Sequence, residues 1–148
     1  MVDVVKQISD ALNSTIQATL PDYKPLDYFY NPQKNQFHGN AKRFGVAVDS
    51  GSSFETITKA ITIEQNFNVV LTNDYTAHDD ESALASAILE LHDAMNDIYI
   101  AVFNTKLGLP TLVYRTGPLS FTAPLIDEEQ QNIILTMGLS LSYRTSLI

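Results

Sequence analysis

Apolar residues recur at helical spacing in two segments of the chain. In residues 2–20 they stand three or four positions apart, up to Pro21, which stops a helix. The second segment follows Asp79 and Asp80, whose carboxylates favour a helix start. Its apolar stripe consists of Leu84, Ile88, Leu91, Met95, Ile98 and Val102. The sequence therefore predicts an N-terminal helix and one long central helix.

The end of the second segment, residues 98–103, is apolar nearly all round. Such a composition is typical of a helix end that is deeply buried or lies in an interface. A strand at this place is the competing interpretation.

Apolar and polar residues alternate in the remaining segments, which is typical of strands. Residues 43–49 are predicted as a strand, and residues 50–53 as a turn because they are Ser-Gly-Ser-Ser. Residues 57–72 are predicted as a half-buried strand or bent hairpin with one face on a core and the other in water. Two short strands, 112–116 and 119–123, are expected around Gly117–Pro118, and residues 127–131 form a polar connection.

The clearest strand is the last one, where apolar residues alternate without a break over residues 133–143. The order helix, strands, long helix, strands predicts an α+β fold. Its sheet is expected to be largely antiparallel or mixed, packed against the N-terminal helix and the long central helix. All 148 residues fit a single domain, 1–148.

Composition narrows the classes of function. The chain has no cysteine, which excludes disulfides, thiolate metal sites and a cysteine nucleophile. Its net charge of −8 argues against a domain-wide basic surface for nucleic acid. We also expect neither a signal peptide nor a membrane span, because the start lacks an apolar run and no stretch approaches about 20 apolar residues.

The charge is unevenly distributed along the chain. The cations of the first 59 residues are Lys6, Lys24, Lys34, Lys42, Arg43 and Lys59. From Ala60 to Thr105 there is no Lys or Arg, whereas the same stretch holds eight acids. An acidic middle beside a weakly basic first third suggests unlike polar surfaces for assembly.

The residue patterns contain no convincing catalytic, metal or cofactor site. His78, Asp79, Asp80 and Glu81 are adjacent, so on a helix their side chains diverge, and capping explains the acids. Phosphate-binding glycine loops, a Gly-x-Ser-x-Gly turn and paired helical histidines are absent from the sequence. We therefore expect a protein that is not an enzyme and that needs no cofactor.

Two surface patterns remain as candidates for binding. Lys34, Phe37, Lys42, Arg43 and Phe44 loosely fit a stacking-plus-phosphate patch, although a solvated loop explains them more simply. Glu90, Asp93 and Asp97 share one face of the long helix, opposite its apolar stripe. The simplest explanation of that face is again solvation.

The order and texture of the elements resemble those of a known family over nearly the whole chain. The residues concerned are Leu20–Pro21, Phe44-x-Val46-x-Val48, Ile63 to Leu71 with Asn73–Asp74–Tyr75, Asp79–Asp80, Asn132 to Leu135, and Leu139-x-Leu141-x-Tyr143–Arg144. Together with the chain's size, they resemble the tail terminator proteins of long-tailed bacteriophages and the similar head–tail joining proteins.

The resemblance implies a role in virion assembly. Members of this family form a six-membered ring on the last ring of the tail tube, stop tube polymerisation and present a surface to the head connector. DNA passes through the ring without specific binding. It implies that this chain is made in the host cytoplasm, pairs with itself, the tube protein and the connector, and ends up in the tail or neck of the virion.

Candidate residues for the subunit interface or the lumen are Glu90, Asp93, Asp97, Lys34, Lys42, Arg43 and Arg144. The final strand is a further candidate, for edge pairing between subunits. Alternatives to the terminator role are a head-completion or neck adaptor, a protein-binding module that acts through its sheet edge, and an enzyme of unrecognised type.

Overall fold

The part of the chain that the structure describes forms a six-stranded mixed sheet with two α-helices. The computed structural model describes residues 4–25, 42–55, 60–74, 81–109, 113–121, 123–127 and 132–146. The helices are α1 (Val4–Thr19) and α2 (Glu81–Thr105). The strands are β1 (Lys24–Pro25), β2 (Arg43–Glu55), β3 (Ala60–Asp74), β4 (Val113–Phe121), β5 (Leu125–Asp127) and β6 (Asn132–Ser146). The predicted α+β class, with an N-terminal and a long central helix, is confirmed.

The strand order is β1-β2-β3-β6-β4, with β5 beside β6 as well. Strand β1 is parallel to β2, and the other pairs are antiparallel. Strand β6 lies inside the sheet because β3 pairs along one side of it, while β4 and β5 share the other side. The expectation that the final strand would offer a free edge to another subunit is therefore wrong. Alternation reports which faces of a strand are buried and says nothing about its neighbours.

The core lies between the two helices and one face of the sheet. The stripe of α1 buries Ile8, Leu12 and Ile16 completely. The predicted stripe of α2 is also buried from Leu91 to Val102. The sheet contributes Phe44 and Val46, then Phe67, Val69 and Leu71, and then Ile133, Leu135, Met137, Leu139, Leu141 and Tyr143. Directly paired residues such as Val46, Val69 and Met137 point to the same face, so the helices cover that face of the sheet.

Several local predictions differ from the structure. Strand β2 continues through the predicted turn at residues 50–53, with a register shift between Val48 and Gly51, because β3 pairs with both halves. The two short strands around Gly117–Pro118 are one strand, β4, with register shifts on both sides of Arg115 and Thr116. The short β5 begins at Leu125, just before the predicted polar connection.

The second face of β3 is drier than its polar residues predict. Thr62 and Thr72 are buried, although both were expected to face water. Thr72 lies between Arg43 of β2 and Ile134 of β6, and side chains that are directly opposite on neighbouring strands share a face. The side chains of Arg43 and Ile134 flank Thr72 on both sides, and their size explains why Thr72 is buried.

The chain leaves α2 through a left-handed turn at residues 106–108. Lys106, Leu107 and Gly108 have φ values of 48°, 60° and 70°. L-residues rarely adopt this conformation, whereas glycine adopts it freely. Leu107 is nevertheless buried in the core, so its packing holds the turn in place.

Candidate functional site

The outer face of α2 carries large apolar side chains in water. Leu89, Ile100 and Phe103 are 63%, 55% and 58% exposed. At 100° per residue the three lie within about 60° of one another on the helix, on the side away from the core. Residues 98–103 are helical, so the competing strand interpretation is wrong. Ile98 and Val102 are buried while Ile100 and Phe103 are not, so the segment is not buried all round, and the interface interpretation stays a prediction.

The acids of the predicted acidic face lie beside these apolar residues. Asp93 and Asp97 are exposed, and within the described residues neither makes a hydrogen bond or an ion pair. At 100° per residue Asp93 lies between Leu89 and Asp97 around the helix. The outer face of α2 is therefore apolar and acidic at the same time.

Glu90 is separated from the other two acids by its contact. The Lys42 ammonium at the start of β2 donates to the Glu90 carboxylate at 2.5 Å. One residue of the predicted basic patch thus neutralises one residue of the predicted acidic face within the same subunit. Both side chains stay partly in water, at 36% and 51% exposure.

Tyr23 lies under this ion pair. The Lys42 amine is 5.7 Å from the centre of the Tyr23 ring, and the Gln17 amide donates to the Tyr23 carbonyl oxygen. The Tyr23 hydroxyl is buried without a hydrogen-bond partner. Burial, followed by the negative charges of Glu90 and Asp22, raises the pKa of Tyr23 to about 12. The Tyr23 ring therefore packs beside the ion pair of Lys42 and Glu90 as an apolar surface.

Of the other predicted residues, those that the structure describes do not form a binding patch with Lys42. Phe44 is 1% exposed in the core and cannot stack on a nucleic-acid base. Arg43 is half-buried at the start of β2, and Arg144 is exposed on β6 opposite Thr62. Lys34 and Phe37 lie outside the described residues, as do His78, Asp79 and Asp80. The stacking-plus-phosphate interpretation is wrong for Phe44.

The two edges of the sheet form a second candidate surface. Strand β1 pairs only with Arg43 and Phe44, so within the described residues the outer edge of 45–55 in β2 has no backbone partner. At the opposite end of the sheet, β4 and β5 expose the apolar side chains of Phe121, Leu125 and Ile126. One edge therefore offers backbone groups, and the other offers apolar side chains.

The sequence analysis missed the exposed apolar residues of α2. Their signal was present, because Leu89, Asp93, Asn96, Ile100 and Phe103 follow a four-three-four-three spacing that forms a second line along the helix. The stronger inward stripe obscured it. His92 lies next to this line and packs against Phe121 in a tilted arrangement, with the ring centres 5.5 Å apart and the ring planes at 59°.

Further observations concern the described residues only. Within them, no group of three or more histidine or carboxylate side chains is arranged to hold a metal ion. No helix among them is both long and apolar enough to cross a bilayer. Neither the models of known protein families nor the curated proteins contain a match to the chain.

Proposed function

We propose that the protein is a structural subunit of a phage tail, a terminator that forms a ring on the tail tube, stops its growth and contacts the head connector. The proposal starts from the resemblance in element order and strand texture. In this role the protein works by binding and not by catalysis. Its partners are further copies of itself, the tube protein and the connector, and its place is the tail or neck of the virion.

The observation that carries the proposal is the pair of unlike, open edges at opposite ends of one sheet. A closed ring of identical subunits needs two different surfaces on each subunit, facing its two neighbours. Among the described residues the outer edge of β2 is unpaired beyond Phe44, and the β4–β5 end exposes Phe121, Leu125 and Ile126. Strand directions alternate from β2 through β3 and β6 to β4, so the next subunit's β2 would continue the antiparallel pattern.

In such a ring the acidic surface has a simple use. Asp93 and Asp97 are exposed on the outer face of α2. They are candidates for the channel, where they would repel the phosphates of passing DNA, or else for a contact with a partner protein.

Electron microscopy of the protein mixed with its tube protein tests the proposal. We expect rings with a central hole at the ends of short, uniform tubes, and unrestricted tube growth when the protein is left out. Leu125→Glu should abolish the rings because it places a charge in the edge contact, whereas Leu89→Glu on α2 should leave them intact. Tubes that grow without limit in the presence of the wild-type protein would reject the terminator role.

The same experiment covers the head-completion alternative. If the protein binds the connector of the same phage and ignores the tube, it is a neck adaptor. The open edge of β2 also favours a module that binds one extended peptide strand. That function would appear as a one-to-one complex without ring formation.

A further inference from the structure

The outer side of α2 has the geometry of a helix-packing surface. We call its line of residues the α2 seam; its members are Leu89, Asp93, Asn96, Ile100 and Phe103. Steps of four and three residues keep a line of side chains facing a second helix that crosses at a shallow angle. At 1.5 Å per residue the seam is about 21 Å long, which matches a partner helix of about fifteen residues.

The α2 seam is apolar at its ends and polar in its middle. Leu89 lies at one end, and Ile100 and Phe103 lie at the other, all more than half exposed. Asp93 and Asn96 occupy the centre. Large apolar side chains aligned on one exposed face mark interaction sites. Polar residues inside such a seam fix the register of the partner, because they need polar groups opposite them.

The charge beside the seam defines what the partner must carry. Asp93 and Asp97 are exposed, and within the described residues neither forms an ion pair; their own stretch of sequence, from Ala60 to Thr105, contains no cation. Lys42 is occupied by Glu90. A docked helix therefore gains from Lys or Arg side chains that flank its own apolar residues.

Neither helix of a second copy offers such a face. The cation on the exposed side of α1, Lys6, pairs with Asp10 at 2.9 Å, and its exposed neighbours are polar. A second α2 would bring Asp93 and Asp97 towards the same two acids and repel them. The helices of this chain are thus poor occupants of the seam.

We propose that the α2 seam binds an amphipathic helix of another protein, with apolar residues in the contact and Lys or Arg at its flanks. The inference does not depend on the ring, whose contacts we assign to the sheet edges. The α2 seam lies on the side of α2 away from the core, and it adjoins the β4 edge only at His92, which contacts Phe121.

Two labelled peptides test this proposal by fluorescence anisotropy. Both are designed eighteen-residue helices with leucines at seam spacing, one flanked by lysines and the other by glutamates. We expect the wild-type protein to bind the lysine peptide at least tenfold more tightly than the glutamate peptide. The double substitution Ile100→Ser with Phe103→Ser should weaken binding of the lysine peptide at least tenfold. Leu125→Ser, at an equally exposed site on β5, should leave this binding unchanged.

A charge exchange separates docking on α2 from general attraction to an acidic protein. Asp93→Lys with Asp97→Lys should reverse the preference in favour of the glutamate peptide. The double substitution Asp93→Asn with Asp97→Asn should weaken binding of the lysine peptide. Its matched control, Gln7→Lys with Ser14→Lys on the exposed side of α1, changes the net charge by the same amount and should weaken binding less. Equal effects of these two pairs would overturn the proposal.

Two further results would also overturn it. One is binding of the lysine peptide that survives the loss of Ile100 and Phe103. The other is a lower mass of the protein alone in sedimentation after the same substitutions, because the seam would then be occupied by a second copy. The ring proposal is tested by Leu125→Glu and the loss of rings. The seam proposal is tested by Ile100→Ser with Phe103→Ser and the loss of peptide binding. Each proposal can therefore fail without the other.

Discussion

Lys42 and Glu90 are 48 positions apart in the sequence and form an ion pair across the structure. The pair connects the first residue before β2 with the middle of α2, above the ring of Tyr23. It joins the weakly basic first third of the chain to its acidic middle. The two regions therefore meet within one chain, and of the three acids predicted to share a face of α2, Asp93 and Asp97 remain without an ion pair in the described residues.

The ion pair should contribute modestly to stability. Glu90→Gln is expected to lower the free energy of unfolding by about 0.2–1 kcal/mol, because both partners remain partly solvated. Urea unfolding at low and at high salt measures this, and the difference should shrink with salt. Asp93→Asn is the control and should change stability by less than about 0.5 kcal/mol. Equal losses in both variants would contradict a contribution from the pair.

Removing the Tyr23 hydroxyl should not destabilise the protein. This group is buried without a hydrogen-bond partner, so the free-energy cost of removing it from water is not compensated in the folded protein. We expect Tyr23→Phe to leave the free energy of unfolding unchanged or to raise it by up to about 1 kcal/mol. Thermal unfolding at neutral pH measures the change, with Tyr99→Phe, at a half-buried position of α2, as the matched substitution. A clear loss of stability in Tyr23→Phe would show that the hydroxyl has a partner.

The pKa of Tyr23 predicts a dependence of stability on alkaline pH. Burial and the nearby carboxylates raise this pKa from 10.0 to about 12 in the folded protein. Between those values the unfolded chain loses the proton and the folded chain keeps it, so the contribution is complete below pH 10 and decreases as pH rises towards 12.

Comparison with Tyr23→Phe isolates this contribution from the other titrating groups. Between pH 10 and 11 the wild type should lose about 1 kcal/mol more stability than the variant does. Urea unfolding at both pH values provides the measurement, and absorbance at 295 nm follows the tyrosinates. Parallel losses in the two proteins would show that the Tyr23 pKa is not raised.

Gly138 of β6 allows a close approach of Ser120 on β4. A Cβ atom at position 138 would lie 2.5 Å from the Ser120 oxygen. Because this oxygen belongs to an exposed side chain that can rotate, we expect Gly138→Ala to cost only about 1 kcal/mol. In a Ser120→Ala background the cost should fall to about zero, since the oxygen is gone. Urea unfolding of the four proteins tests this, and equal costs in both backgrounds would exclude the contact as the cause.

The left-handed turn after α2 predicts opposite effects at neighbouring positions. Lys106→Gly should stabilise the protein by about 0.5–1 kcal/mol, because glycine adopts the positive φ without steric cost. Leu107→Gly relieves the same conformation but removes a buried side chain, and should destabilise by about 2 kcal/mol or more. Denaturant unfolding of both variants tests the pair. A loss of stability in Lys106→Gly would mean that its side chain matters more than its backbone.

The inward half of the fold was predictable from the sequence. The stripes of α1 and α2 and the alternation of β6 depend on burial, which sets the period of apolar residues in each element. A strand that slipped by one residue would turn its apolar side chains to the other face, so burial determines which face of each strand points to the core. The central part of the sheet was therefore predicted correctly from residues such as Phe67, Val69 and Leu135.

Relations between elements were not predictable in this way. The segment Ser-Gly-Ser-Ser favours a turn locally, yet its pairing with β3 keeps it extended. Phe44 follows two cations, Lys42 and Arg43, which suggested a binding patch, although its alternation with Val46 is that of a core-facing strand position. The pairing of Lys42 with Glu90 depends on where α2 crosses the start of β2, and no local pattern encodes that crossing.

The central place of β6 sets an order of events during synthesis. Strand β3 and both strands on the other side of β6 are made before it, so the sheet is complete only after residue 146 has left the ribosome. Until then the edge of β3 that pairs with β6 has no partner on that side, and such an open edge favours aggregation of the partly made chain. Completion of the sheet therefore depends on contacts between residues that are distant in sequence, which makes folding slow.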